Sequence, residues 1–219
     1  MSGPRVRTGI FISGRGSNMK SLIAAAENPN YPAKIALVLS NNADAAGLVH
    51  AKDAGISTET VDHRQFASRE DFEDELQNQL EKHDISLVCL AGFMRILTGA
   101  FVGHWTGRMI NIHPSILPSY KGLNTHERAL ADGVKLHGCT VHYVAPEMDA
   151  GPIIIQAAVP VLGSDTADTL AARVLEQEHA IYPKALAWVA GNSIRIEGQT
   201  VVVAHDGPDA PAGALVSPA

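Results

Sequence analysis

The chain has 219 residues, of which 46% are hydrophobic and 18% are charged, and 17 Lys and Arg against 23 Asp and Glu give a formal net charge of −6. This length buries one complete core and predicts one catalytic domain, residues 1–204, followed by a flexible Pro-, Gly- and Ala-rich tail, residues 205–219. The acidic balance excludes a broad basic surface for nucleic acid or an anionic membrane. Two cysteines are too few for a disulfide framework, and the N-terminus carries no apolar signal core, so we expect a cytoplasmic protein.

Short apolar runs alternate with helix-like stretches, which is typical of a parallel sheet covered on both faces. Strands are predicted at residues 6–12, 34–40, 57–61, 86–91, 108–112, 137–144 and 153–159. Helices are predicted between the early strands, at residues 17–26, 45–54, 69–83 and 98–105. This order predicts an α/β fold with a doubly wound, mostly parallel sheet, in which functional loops follow the C-terminal ends of the strands.

The pattern changes after residue 113. Two prolines and a Lys-Gly pair in residues 114–123 indicate an ordered irregular loop, and the closely spaced later strands favour antiparallel pairing. A long helix is predicted over residues 166–189, capped by Asp165 or Thr166, with a kink or break near Tyr182 because Pro183 falls inside it. A hairpin of residues 194–196 and 200–203 is predicted to follow.

The first strand leads through Ser13-Gly14-Arg15-Gly16-Ser17-Asn18 straight into a helix. Backbone amides at such a helix N-terminus favour an anion, most often phosphate, although a tight turn capped by Ser17 explains the same residues. A dinucleotide site would need a third glycine and an acid after the second strand, and a Walker loop would need a Gly-Lys-Ser/Thr sequence. The loop is therefore expected to hold one terminal phosphate of a small molecule.

Asn111 and His113 lie two apart near the end of a predicted strand, so both project to the same face. An amide donor beside an imidazole can polarise a carbonyl and move a proton. Asp149, in a turn-like loop, could hydrogen-bond His113 and favour its charged form, or could simply make a local turn. Metal chemistry is not expected, because His-Glu-x-x-His and zinc-spaced cysteine pairs are both missing, and His137 and His142 should face opposite sides of their strand.

Five segments resemble the phosphoribosylglycinamide formyltransferase family of folate-dependent enzymes. They are residues 12–18 (ISGRGSN), 91–97 (AGFMRIL), 111–118 (NIHPSILP), 149–152 (DAGP) and 177–183 (QEHAIYP). The resemblance runs in the same order over about residues 6 to 190 and implies the Rossmann-like formyltransferase fold, with antiparallel strands toward the C-terminal end. It also implies transfer of a formyl group from the co-substrate 10-formyltetrahydrofolate to the amine of glycinamide ribonucleotide, in purine biosynthesis and without a metal.

The resemblance further implies roles for individual residues. The catalytic set would be Asn111, His113 and Asp149, with Asn111 and His113 stabilising an oxyanion and Asp149 favouring the charged His113. The ribonucleotide would be held by Gly16, Ser17, Asn18 and Glu178. The folate would contact Arg69, Met94, Arg95, Ile96, Leu97, Asn111, Val144, Ala145, Glu147 and Asp149. Two positions depart from the family pattern: Arg15 is larger than expected, and Leu175 replaces a polar substrate contact.

Three other functions compete with this one. A formyltetrahydrofolate hydrolase would share the catalytic set but needs no phosphate site, and its relatives tend to carry an N-terminal module for which the chain is expected to have no room. A transfer RNA formyltransferase would add a C-terminal nucleic-acid-binding domain, and the tail is expected to be too short for one. A non-catalytic nucleotide-binding module would keep residues 14–18 without needing Asn111, His113 and Asp149 together.

Overall fold

The computed structural model describes residues 4–203. Within them the chain forms one nine-stranded sheet flanked by helices. The strands are β1 (Val6–Ile12), β2 (Ala33–Ser40), β3 (Ser57–Thr60), β4 (Leu87–Leu90), β5 (Met109–His113), β6 (Leu136–Tyr143), β7 (Ile153–Pro160), β8 (Ile194–Glu197) and β9 (Thr200–Val203). The helices are α1 (Ser17–Ala26), α2 (Ala46–Asp53), α3 (Arg69–Lys82), α4 (Gly99–His104), α5 (Thr125–Ala131) and α6 (Ala167–Ala190).

The sheet has the strand order β3-β2-β1-β4-β5-β6-β7-β9-β8. The first five strands in this order are parallel, and β6 pairs antiparallel with both β5 and β7. The strand order reverses between β1 and β4, and ligands of doubly wound sheets bind at the carboxyl edge of such a reversal. The loops after β1, β4 and β5 therefore define where a site can lie.

Two apolar layers cover the faces of the sheet because strand side chains alternate. On one face, Ile10 and Ile12 of β1 belong to a buried cluster with residues of α1, α2 and α6. On the other face, Phe11 belongs to a cluster with residues of α3 and α4 and with Trp105, which follows α4. Both clusters are buried and fix the strand ends that carry polar residues.

The structure confirms the predicted α/β class, the parallel-to-antiparallel change and the final hairpin, and predicted element bounds differ from the observed ones by no more than one residue at either end. Of the kink or break predicted near Tyr182, the break is wrong, because α6 continues through Pro183. Buried Tyr182, Ala185 and Leu186 pack this part of α6 against the core, which offsets the helix hydrogen bond that a proline cannot donate. The predicted tail lies outside the described residues. Among the helices described, none is long and apolar enough to cross a lipid bilayer.

Candidate active site

The loop after β1 presents free backbone amides at the start of α1. Gly16 is the N-cap residue in the left-handed conformation, with φ 71°, and no side chain caps the helix. The alternative in which Ser17 caps the turn is therefore wrong. A Cβ on Gly16 would lie 3.1 Å from the Cα of Gly47, and the Gly47 amide donates to the Gly14 carbonyl at 3.0 Å. The loop is thus held by close backbone contact while its leading amides stay available for an anion.

Asn18 and Glu178 meet beside this loop. The Asn18 Nδ2 donates to Glu178 Oε2 at 2.6 Å, which joins α1 to α6, and the two residues are only 9% and 7% exposed. Burial raises the pKa of the Glu178 carboxyl, and the Asn18 hydrogen bond acts against that rise. Asn18 Oδ1 is buried and has no hydrogen-bond partner within residues 4–203. Side by side, the carboxylate and the amide oxygen form an acceptor pair suited to hydroxyl donors.

The loop after β4 is tied to the loop after β1 through Ser13. The Ser13 amide donates to the Gly92 carbonyl at 3.1 Å, and the Met94 amide donates to Ser13 Oγ at 2.7 Å. Ser13 Oγ in turn donates to Asn41 Oδ1 at 2.6 Å. The predicted folate segment therefore sits directly against the predicted ribonucleotide loop.

The predicted folate segment is largely exposed. Met94 and Ile96 are 66% and 65% exposed, whereas Leu97 is buried in the cluster around α3 and α4. Arg95 is also exposed. Two apolar side chains held in solvent next to a polar site suit the aromatic body of a ligand.

Arg69 lies at the N-terminus of α3, close in the chain to the contacts that fix this helix. Buried Glu73, one turn further on, accepts from the Thr98 amide at 2.6 Å and from the Thr98 hydroxyl. The start of α3 is thereby joined to the end of the 94–97 segment. Arg69 itself is exposed, and its side chain makes no hydrogen bond within the described residues.

The predicted catalytic edge lies on β5 and β6. Pairing places Asn111 opposite His142 and His113 opposite Thr140. His113 is 6% exposed; its Nε2 lies 3.0 Å from the Tyr120 carbonyl oxygen, and its Nδ1 lies 3.4 Å from Asp149 Oδ2. Both ring nitrogens therefore face oxygen atoms that can only accept hydrogen bonds. The three predicted catalytic residues thus come together at one edge of the sheet.

Asp149 is fixed by the loop that follows β5. Its Oδ2 accepts from the Gly122 amide at 2.8 Å, and its backbone is left-handed, with φ 51°. Tyr120, whose carbonyl faces His113, is also left-handed, with φ 56°. Such strain persists only where the surrounding contacts determine it, and it is common in active sites.

The segment from Val144 to Gly151 completes this edge. Val144 is half-buried, and its amide donates to the Met109 carbonyl at 2.9 Å. Ala145 is also half-buried, whereas Glu147 is exposed and pairs with Lys121 at 3.1 Å. A side chain on Gly151 would overlap the carbonyl oxygen of Tyr143, which explains the glycine of the DAGP motif.

Several groups at this edge were not predicted from the sequence. The Tyr120 carbonyl and the Gly122 amide are backbone groups, and no motif spacing marks Asn41 or His142. Ser13 lies in the ISGRGSN segment, but no role was predicted for it. For His142, strand alternation gives one indication from the sequence, because it predicts that His142 and His137 face opposite sides of their strand. Within residues 4–203 there is no group of three or more His, Cys, Asp or Glu side chains arranged to hold a metal ion.

This fold and this polar edge define a formyl transferase. The family model described as "Formyl transferase" matches residues 6–186, and the chain belongs to that family. Within it the chain is 46% identical over 187 residues to phosphoribosylglycinamide formyltransferase of Escherichia coli K12, covering 85% of this chain and 88% of that protein. The family resemblance of the five motifs is confirmed.

Other relatives agree with this assignment. The phosphoribosylglycinamide formyltransferase structure from Coxiella burnetii is 46% identical, with a TM-score of 0.87, and the match covers 91% of this chain and 94% of that one. The human trifunctional purine biosynthetic protein adenosine-3 is 50% identical over 192 residues, or 88% of this chain. The chain spans about a fifth of the length of that trifunctional relative, 19%.

A formyltetrahydrofolate deformylase is a more distant neighbour. The structure from Pseudomonas syringae pv. tomato is 28% identical, with a TM-score of 0.84, and the match covers 92% of this chain but 67% of that one. The fold is therefore shared with an enzyme named for a different reaction, so the choice between reactions rests on the site.

Proposed function

We propose that this protein transfers the formyl group of 10-formyltetrahydrofolate to the amine of glycinamide ribonucleotide, giving formylglycinamide ribonucleotide and tetrahydrofolate in purine biosynthesis. The observation that carries the proposal is the combination of two sites on one sheet edge. The first is the anion loop with the buried Asn18–Glu178 pair, and the second is the Asn111, His113 and Asp149 group. A hydrolase needs the second site alone, whereas transfer to a phosphorylated amine needs both.

The ribonucleotide would bind at the start of α1. The amides that follow Gly16 would take its phosphate, and Ser17 lies in this first turn. The ribose hydroxyls would donate to Glu178 and to the free Asn18 Oδ1, which supplies the partner that this buried atom lacks within the described residues. Leu175 offers no polar contact, so affinity would depend on these two residues.

The folate would bind against the 94–97 segment, in which Leu97 is buried and the other three residues are exposed. Val144, Ala145 and Glu147 would lie on its other side, and Arg69 toward its glutamate tail. The guanidinium of Arg69 is exposed, so it can meet a carboxylate. Ser13 joins both loops and would fix the distance between the two substrates. Holding two reactants in place supplies a large part of the barrier reduction, about 7–11 kcal/mol in well-oriented systems.

The reaction requires a proton transfer and an oxyanion site. The amine nitrogen bonds to the formyl carbon, and the bond from that carbon to the folate nitrogen breaks; the proton lost by the amine ends on the departing nitrogen. Asn111 would donate to the oxygen that becomes negative, and the loss of one such donor costs about 2.7–4 kcal/mol. His113, whose Nε2 lies at the Tyr120 carbonyl and whose Nδ1 lies 3.4 Å from Asp149 Oδ2, would stabilise the same oxygen or shuttle the proton.

One experiment separates the proposed function from its alternatives. Purified protein is given 10-formyltetrahydrofolate with and without glycinamide ribonucleotide, and tetrahydrofolate release is followed. Release that depends on the ribonucleotide is expected. Release without it would indicate a hydrolase, and no release under either condition would indicate a binding module. The proposal keeps the cytoplasmic location expected from the sequence.

A further inference from the structure

His142 lies between the proposed oxyanion donor and the backbone. It faces Asn111 across the β5–β6 pair and is 2% exposed. Its Nδ1 lies 2.8 Å from the Tyr143 carbonyl oxygen, and its Nε2 lies 3.3 Å from Asn111 Nδ2. Asp149 Oδ1 lies 3.9 Å from the same Nε2.

The Tyr143 carbonyl determines which nitrogen of the His142 ring carries the hydrogen. A carbonyl oxygen only accepts, so Nδ1 must donate to Tyr143 and carries hydrogen. Burial, the largest cause, lowers the pKa of His142 below the ordinary 6.5, and the charges of His113 and Lys121 act in the same direction. The Tyr143 carbonyl and the Asp149 carboxylate act against this shift without reversing it. The ring is therefore neutral at pH 7, and Nε2 presents a lone pair.

We propose that His142 is a positioning residue that fixes which end of the Asn111 amide faces the substrate. The inference rests on the proposed function. The Nε2 lone pair accepts one hydrogen of Asn111 Nδ2, which leaves the second Nδ2 hydrogen for the developing oxyanion. The reversed amide would set Asn111 Oδ1 against that lone pair, and two acceptors repel each other.

The amide orientation matters because the two ends of the side chain have opposite effects on an oxyanion. The nitrogen end stabilises the negative oxygen, whereas the carbonyl end repels it. Gly151 contributes to the same arrangement, since only a residue without a side chain leaves the Tyr143 carbonyl where His142 meets it. Asn111 of β5, His142 and Tyr143 of β6 and Gly151 of the loop after β6 therefore determine one hydrogen-bond donor.

Two substitutions distinguish the roles of the two ring nitrogens of His142. His142→Gln places a carbonyl oxygen near the position of Nε2, so it can still accept from Asn111. His142→Asn places an amide near Nδ1, so it can still donate to the Tyr143 carbonyl but is too short to reach Asn111. We expect His142→Asn to lower kcat by roughly 10- to 100-fold, below the full effect of losing an oxyanion donor. The KM values for both substrates should stay near those of the parent, and His142→Gln should restore most of kcat.

Combination with Asn111→Ala tests whether His142 acts through Asn111. If it does, adding His142→Asn to Asn111→Ala should lower kcat no further than Asn111→Ala alone. Equal losses in the Asn and Gln variants, or a rise in KM with kcat unchanged, would overturn the proposal. Thermal unfolding of each variant controls for a general loss of stability.

Nitrogen NMR of the ring gives a readout that needs no turnover. In the parent protein at pH 7, the ¹⁵N shifts of His142 should show hydrogen on Nδ1 and a lone pair on Nε2. The opposite tautomer or a charged ring would overturn the inference, whatever the reaction. Failure of the proposed function would instead appear as absent ribonucleotide-dependent release in the parent protein, with the tautomer unchanged.

Discussion

The two halves of the proposed site are built from different kinds of structure. At the ribonucleotide end, the polar groups belong to regular helices: Asn18 lies in α1 and Glu178 in α6, and they bond directly at 2.6 Å. At the catalytic edge, β5 supplies Asn111 and His113, but their partners come from irregular loops. The Tyr120 carbonyl, the Gly122 amide and the Asp149 carboxylate all come from these loops.

The backbone differs in the same way. Tyr120, Asn124 and Asp149 adopt positive φ angles of 56°, 55° and 51° at the catalytic edge, whereas the only positive φ in the first loop belongs to Gly16. Strained residues need mutual contacts to persist. Affinity for the ribonucleotide should therefore depend on packed helices, while turnover should depend on two loops that hold each other.

The largest expected effect is the loss of His113. His113→Ala removes the group proposed to stabilise the oxyanion or shuttle the proton, and we expect kcat to fall by about 10²- to 10⁴-fold. Binding of glycinamide ribonucleotide, measured by calorimetry, should remain near the parent value because Asn18 and Glu178 are untouched. Near-normal turnover in this variant would refute the assigned role.

A change at the other end should give the reverse pattern. Asn18→Ala leaves the buried Glu178 carboxylate without its donor, and an unpaired buried polar group costs about 1–3 kcal/mol. We expect the KM for the ribonucleotide to rise by roughly 5- to 150-fold, with kcat at saturation close to the parent value. Steady-state kinetics at saturating folate gives both constants. A fall in kcat without a rise in KM would contradict the division between the two regions.

Acid should also act on the two regions in opposite directions. Burial lowers the pKa of His137 to about 4 and lowers that of His126, and their rings pack edge to face at 5.2 Å where α5 follows the catalytic loop. The unfolded chain protonates these histidines near the ordinary 6.5, so stability is complete above that pH and is lost as the pH falls toward 4. The effect of Glu178 on stability has the opposite pH dependence. Because its pKa is raised in the folded protein, its contribution to stability is complete below the ordinary 4.5 and is lost as the pH rises.

Native-state hydrogen exchange at pH 7 and pH 5 tests this contrast. Protection of residues 114–131 should fall at pH 5, while protection of α1 should hold. His137→Gln removes one titrating ring and should reduce the pH dependence of urea unfolding. Equal loss of protection in both regions would mean that acid acts on the whole fold.

The sequence predicts one of these regions better than the other for a physical reason. Strand alternation alone places Asn111 and His113 on one face, and the glycines before Ser17 indicate the anion loop. In contrast, Asn18 and Glu178 are far apart in the chain, and only the family resemblance connected them. The packing of α1 against α6 makes this contact, and the residues alone do not predict a contact between positions so far apart in the chain.

Even less of the loops around His113 and Asp149 can be predicted from the sequence. The partners of His113 and Asp149 include a backbone carbonyl and a backbone amide, and such groups leave no mark on residue identity. His142 is one of several histidines, and its importance depends on register with Asn111, which strand pairing sets. Pro183 shows the converse, because a strong local signal for a break is overridden by the buried side chains around it.

The smallest expected effect concerns the ion pair that joins the two catalytic loops at the surface. Lys121 Nζ lies 3.1 Å from Glu147 Oε1, but their side chains are 33% and 78% exposed, and exposed pairs contribute about 0–1 kcal/mol. Lys121→Ala should therefore lower kcat by no more than roughly fivefold at low salt. Exposed Lys135 provides the matched control, since Lys135→Ala removes the same charge away from Glu147.

A salt titration tests whether the pair helps to hold the loops. If it does, about 0.5 M salt should abolish the difference in kcat between the parent and Lys121→Ala, because salt in this range screens the attraction between exposed charges. A difference that persists at high salt would mean that Lys121 contacts a substrate, and the loops would then be held by the Gly122 and Tyr120 contacts alone.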